Sequence, residues 1–406
     1  MSFSIATSGL NAISQQLGAI SNNIANTGTV GYKSGRAEFS ALYAQSQPLG
    51  VGVTGITQSI TRGGNIISSS NSLDLAISGN GFFVVRDSTG TTSYTRAGYF
   101  GTDKDGNLVN NLGMNMQGYP VDANGNLQVG TVSNLSIRSG SIPARATEQI
   151  NFTANFDANA KAIPKTDAQG NAIDFNEKDE TTYNNTYTTQ VFDSLGREHT
   201  LTQYFVKDSD NQWTAHLRLD GQKLTAPADS KIAVEFSDSG LLLKPAGMTD
   251  LNVAINGASP LAIEMSYAGT TQYGSDFSVS RNQGDGYASG ERTGQQVDEK
   301  GNVYATFSNG ERMLQGQLII ANFANPNGLQ SQDGTTWAQT GTSGAPLIGA
   351  PGSGLLGYIK SNALEESNVD LTSELVGLMS AQRNYQANTK VISTNDNMMN
   401  ALMQAV

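Results

Sequence analysis

The sequence predicts a mainly β, multidomain protein whose N- and C-terminal α-helices pair as a coiled coil. Its topology is expected to be nested, with one domain inserted into another. Three observations carry this expectation. Apolar heptads occupy both ends of the chain and almost nothing between them. The 406 residues include 45 glycines, and charged residues reach only 15%, the texture of a turn-rich β protein. Finally, residues 73–142 and 287–362 share one strand texture and flank a different middle, 143–286.

The N-terminal element, residues 1–27, is justified by Phe3, Ala6, Leu10, Ile13, Leu17, Ile20 and Ile24, spaced by alternating gaps of three and four. That spacing is the seam of a coiled-coil helix, expected from about Ser4 to Asn26 and stopped near Gly28. Residues 28–72 are rich in Gly, Ser, Thr and Gln and are expected to be an extended connector. Regular β patterning begins at Leu73, with Leu75 and Ile77 in alternation, then Phe82-Phe83-Val84-Val85 after the turn Gly79-Asn80-Gly81. Pro143 opens the inserted outer β domain, with strands expected at 149–155, 186–192, 200–206 and 213–219. The inner texture returns at 302–307 and 314–323.

The last element, 363–406, begins at Ser367-Asn368-Val369-Asp370. Either Ser367 with Asp370 as a capping box, or Asp370 alone, can satisfy the free N–H groups there. Leu371, Leu378, Tyr385, Ile392, Met399 and Val406 then fall seven apart, with Leu375, Ala381 and Leu402 beside them. A strict heptad winds helices into a left-handed supercoil. One narrow stripe cannot be buried by its own helix, so the two termini need each other or other copies. The seam expected to drive assembly is therefore Phe3, Leu10, Ile13, Leu17, Ile20, Ile24, Leu371, Leu375, Leu378, Tyr385, Ile392, Met399 and Leu402.

The pattern D-x-x-G-N recurs at Asp103–Asn107, Asp122–Asn126, Asp167–Asn171 and Asp298–Asn302. An Asp side chain that bonds the backbone ahead, followed by a Gly at positive φ, makes a hairpin turn. A calcium loop would need Gly at its sixth position and Glu at its twelfth; here Gly106 is fourth and residue 114 is Met.

A formal charge of −11 without clustered Lys or Arg excludes nucleic-acid binding. Without cysteine there is no disulfide framework and no thiolate chemistry. No stretch approaches the apolar length of a membrane span, and Met1–Leu17 lacks the basic start and apolar block of a cleavable signal peptide. A cytoplasmic protein fits that absence, as does export by a route that reads no cleaved signal. His199 and His216, the two histidines, have no metal-ligand spacing. Gly349–Gly354 lacks the Lys and Ser/Thr of a phosphate loop, no G-x-S-x-G elbow precedes a helix, and Glu365-Glu366 reads as a solvated helix start. No catalytic, cofactor or metal site is expected, and the chain is not expected to be an enzyme.

Ser8-Gly-Leu-Asn-Ala12, Ser21-Asn22-Asn23-Ile-Ala-Asn26-Thr27 and Gly31-Tyr32-Lys33 resemble the N-terminal signature of bacterial flagellar rod and hook proteins. The stretch from Leu73-Asp74 through Gly79, Gly81, Phe82 and Phe83, and Tyr94–Gly98, resemble that family's central motifs. Its C-terminal signature is matched by Leu364–Leu371, with Asn368 and Asp370, then Glu374–Val376 and Ala381-Gln382-Arg383-Asn-Tyr385–Asn388. The large insertion 143–286 resembles the hook branch rather than the shorter rod members. The resemblance implies a structural subunit of the hook, self-assembling into a tubular, bendable joint that passes torque from rod to filament. It implies a homopolymer in contact with the distal rod, hook cap and hook–filament junction proteins. It also implies type III export without a cleaved signal and an extracellular place in the flagellum, with no membrane insertion. The alternatives are a distal rod protein, or a secreted β-rich binding module on a helical oligomerisation stalk.

Overall fold

The computed structural model describes residues 2–44, 47–122, 125–138, 140–166 and 172–405. The chain is mainly β, with one long helix at each end, and its residues divide into two compact units. The first is built from Met1–Ser139, Thr293–Thr306 and Arg312–Val406, the second from Gly140–Arg292 and Phe307–Glu311.

In the first unit, helix α1 (Ser2–Ala25) contains no charged side chain, and helix α2 (Leu371–Ala405) runs for 35 residues. They lie antiparallel. Asn23 bonds Glu374, Ile20 meets Gly377, and Gly9 meets Asn388. Small residues permit this approach, since a Cβ on Gly9 would sit 3.1 Å from Asn388 Oδ1. Ile13, Ile20 and Ala381 are buried in the seam, with Leu17, Ile24 and Leu378 packed against them.

Residues 28–72, expected to be an extended connector, hold instead a long antiparallel hairpin of β1 (Gly35–Ala44) and β2 (Gln47–Gln58). Register shifts at Glu38/Phe39 and Leu42/Tyr43 break the period-two alternation by which a strand is recognised. The hairpin lies on α1, where the Val51 N–H donates to Ser8 Oγ at 3.2 Å. A side chain on Gly50, at φ +118°, would overlap that same hydroxyl.

Strands Ile66–Ser68 and Leu75–Ser78 pair with Ala363–Glu365 and Tyr358–Ser361, so both ends of the chain meet before α2 begins. The adjoining sheet centres on Phe82–Arg86, paired with Thr92–Thr95, Asn115–Pro120 and Ile320–Asn322. Its core is aromatic: Phe82 packs edge-on against Phe323 and Trp337, at 6.0 and 5.6 Å between centroids. The described D-x-x-G-N turns close as hairpin chemistry demands. In each of the turns at Asp103, Asp122 and Asp298, the Asn N–H donates to the Asp carboxylate and the Asp N–H to the Asn carbonyl. The turn at Asp167–Asn171 lies outside the described residues.

The second unit packs one five-stranded sheet on another. Strand Gln149–Asp157 alternates exposed and buried residues, and its Phe152 and Phe156 meet Phe205 and Trp213 of the opposite sheet at 5.0–5.6 Å. That alternation, apolar inward and polar outward, defines a sandwich core.

Candidate functional site

The helix pair is the surface that the sequence singles out, so the site consists of what holds the helices and what they leave uncovered. α1 is held by Asn23, whose amide is saturated. Its Oδ1 accepts from the Gly35 N–H at 2.8 Å and the Tyr32 hydroxyl at 3.2 Å, and its Nδ2 donates to the Gly35 carbonyl and to Glu374 of α2 at 2.8 and 2.9 Å. Burial, and then the Glu374 charge, raise the Tyr32 hydroxyl pKa, so it remains a donor. Asn26 folds back on Asn22 to close the helix end. Gly31 follows at φ +73°, where a Cβ would lie 2.5 Å from the Ala97 nitrogen. Gly31→Ala is therefore expected to cost about 1–3 kcal/mol for the strained backbone, with the overlap added, measured by denaturant unfolding.

α2 is held by Asn368 and Asp370. The Asn368 Oδ1 accepts from the Ser34 N–H at 2.7 Å, and its Nδ2 donates to the carbonyls of Ser59 and Arg62 at 2.9 Å each. Asp370 alone caps the helix, accepting from the N–H groups of Thr372 and Ser373 at 3.0 and 3.3 Å. The Ser373 hydroxyl and N–H hold its carboxyl below the usual value. Ser367 bonds Val369 instead, so no capping box forms.

Between these anchors lies a buried ionic knot. Glu365 sits 2.5 Å from Lys33 Nζ and 3.0 Å from Arg96 Nη1, and is 1% exposed. Carbonyls take further donors: Lys33 Nζ bonds that of Arg62, and Arg96 Nη1 and Nη2 bond those of Ile77 and Gly79, while Arg96 Nε is buried without a partner. Burial opposes ionisation of Glu365, but Arg96 and Lys33 overcome it and keep the carboxyl below its ordinary value. Burial likewise draws the Lys33 ammonium down, against the pull of Glu365. A buried charge stays ionised only when paired and bonded in this way.

The remaining motif residues divide by role. Leu73 is buried, and Asp74 accepts from Ser69 and Asn71 at 2.5 and 3.1 Å. Gly79, at φ +106°, offers the carbonyl that Arg96 uses, and Gly81, at φ +128°, immediately precedes the strand that buries Phe82. Gln382 and Arg383 lie on the exposed side of α2.

That exposed side is the second half of the site. Leu10 and Ile392 are half-buried, whereas Phe3, Leu371, Leu375, Tyr385 and Met399 face water. Beside them Val376, Met379, Met398 and Met403 are 59%, 60%, 65% and 70% exposed, residues that no heptad count selects. The Leu402 side chain and Val406 lie outside the described residues. A seven-residue stripe drifts about 20° per heptad around a straight helix, so one partner cannot cover it. Among the described residues no group of three acidic, His or Cys side chains is placed to hold a metal, and no helix is long and apolar enough to cross a membrane.

Four family models match in chain order. They are Flagella basal body rod protein at 3–33, Flagellar hook protein FlgE/F/G D1 domain at 76–157, Flagellar basal body protein FlaE D2 domain at 151–287, and Flagellar basal body rod FlgEFG protein C-terminal at 360–405. The chain is 38% identical to the flagellar hook protein FlgE of Salmonella typhimurium, over 99% of both chains. It is 32% identical to that of Brucella suis, over 98% of this chain and 96% of the relative. A crystal structure of the Helicobacter pylori flagellar hook protein FlgE2 shares the fold, with a TM-score of 0.53 and 13% identity. That match covers 74% of this chain and all of the other.

Proposed function

This chain belongs to the flagellar hook protein family, and we propose that it polymerises into the tubular, bendable joint between the flagellar rod and filament. The observation that carries the reading is the uncovered apolar side of α2. Several large apolar side chains there face water in a single copy, more than a lone soluble chain ordinarily leaves in one patch. Other copies of the chain cover it in the polymer, and the terminal helices there supercoil as the heptads require.

In this reading the seam of Ile13, Leu17, Ile20, Ile24 and Leu378 resists torque, because removing water from apolar surface is strongly stabilising. The Gly-, Ser- and Asn-rich β surfaces make wet, polar contacts that slide as the tube bends. The domain bounds proposed with it are an outer domain, 143–286, inserted into an inner one, 73–142 plus 287–362. Family membership supports an extracellular position, contact with distal rod, cap and junction proteins, and export unfolded through the flagellar type III apparatus. It also supports a structural rather than enzymatic role.

Growth kinetics test the reading. Light scattering should show concentration-dependent elongation that is hastened by sheared fragments. A size that settles at a small closed oligomer would favour the binding module on a helical stalk.

A further inference from the structure

We propose that the groove between α1, α2 and the β1–β2 hairpin receives the last turns of α2 from another copy of the chain. This rests on the assembly reading and adds to it the two surfaces that meet. The groove measures about 420 Å³ and is lined by Ile5, Gly9, Ile13, Gln16, Phe39 and Val51, with the amides of Asn384 and Asn388 at its α2 wall. None of these side chains is charged. Phe39 and Ile5 remain substantially exposed on its rim.

The matching surface is on the same chain but cannot reach its own groove. In the antiparallel register set by Asn23 with Glu374 and Gly9 with Asn388, α1 runs out opposite about residue 395. α2 continues as an unbroken helix to Ala405. That overhang leads away from the groove. It carries Met398, Met399 and Met403, all exposed, with the amides of Asn395, Asn397 and Asn400 and a single charge at Asp396. Apolar and amide groups thus face apolar and amide groups. Methionine suits such a role, because its unbranched side chain fills irregular grooves.

A contact between two different patches is heterologous. Each added copy leaves a fresh groove and a fresh overhang, so growth stays open.

The test uses the absence of native cysteine. Full-length Gln16→Cys and Met398→Cys chains are mixed, assembled and oxidised. The mixed disulfide dimer is expected as the main crosslinked product in tubes, and not in unassembled protein. Tubes containing mainly the Met398→Cys homodimer, or no crosslink, would overturn the groove contact and leave the hook reading intact. Failure of the unsubstituted chain to form tubes would remove both. If either substitution itself blocks growth, a chain lacking residues 395–406 decides the matter. Added below stoichiometry to full-length protein, it should arrest elongation, and undiminished growth would overturn the proposal.

Discussion

Glu365→Ala is expected to cost about 3–5 kcal/mol of stability in the first unit, the usual result of removing one partner from a buried ion pair. The cost comes less from the lost attraction than from what remains. Lys33 and Arg96 are both buried, and without the carboxylate they are like charges held together away from water. Hydrogen exchange should localise the damage to peptides around residues 31–36, 62–66 and 363–370, leaving the second unit's sandwich protected. The effect has a pH signature. Because the folded carboxyl titrates below its ordinary value of 4.5, its contribution is complete above that value and is lost as pH falls through the folded pKa. Native protein should therefore lose stability steeply on acidification, and Glu365→Ala less so. Equal stability of the two proteins at neutral pH would mean that the knot does not hold the helices.

Leu17→Asp and Ile392→Asp are each expected to abolish tube growth while leaving both β units folded. Burying a Leu or Ile contributes about 1.5–3 kcal/mol, and the substitution adds the penalty of an unpaired carboxylate. A loss of about 3 kcal/mol raises the concentration needed for growth by roughly two orders of magnitude. The two positions probe different things. Leu17 packs on the intrachain cluster of Ile13, Ile20 and Ala381, so its loss also loosens α1 from α2. Ile392 lies near the end of α1's reach. Circular dichroism should show retained strand content for both variants, and sedimentation should show no polymer. Normal tubes from both would remove these residues from the seam.

The two helices were legible because their period repeats long enough to exceed chance, and Asp370 is a strong start signal with its hydroxyl partner three residues ahead. The strands of the second unit were legible for the same reason: Gln149–Asp157 alternates without interruption. The β1–β2 hairpin was not, since its two bulges shift Phe39 and Tyr43 out of alternation and glycines stand opposite Glu38, Ser40 and Leu42. Val51 and Val53 were the available signal. The ionic knot had no local signal at all. Glu365 lies 332 residues from Lys33 and 269 from Arg96, and beside Glu366 it reads as a solvated pair. The motif amides Asn23 and Asn368 stood out only through family resemblance. Their chemistry becomes clear once each is seen to satisfy backbone groups from a distant segment. Met379, Met398 and Met403 of α2 fall between heptad positions, and so escape a count that follows only the stripe.

Helix surface that faces water in one copy is expected to become buried between copies in a tube. Cryo-electron microscopy of full-length protein, concentrated and seeded with isolated hook fragments, tests it most directly. Tubes are expected whose central channel is lined by residues 2–25 and 371–405, with Leu375, Met379 and Tyr385 against a neighbouring copy. A persistent small oligomer, or tubes in which those three side chains still face water, would contradict it.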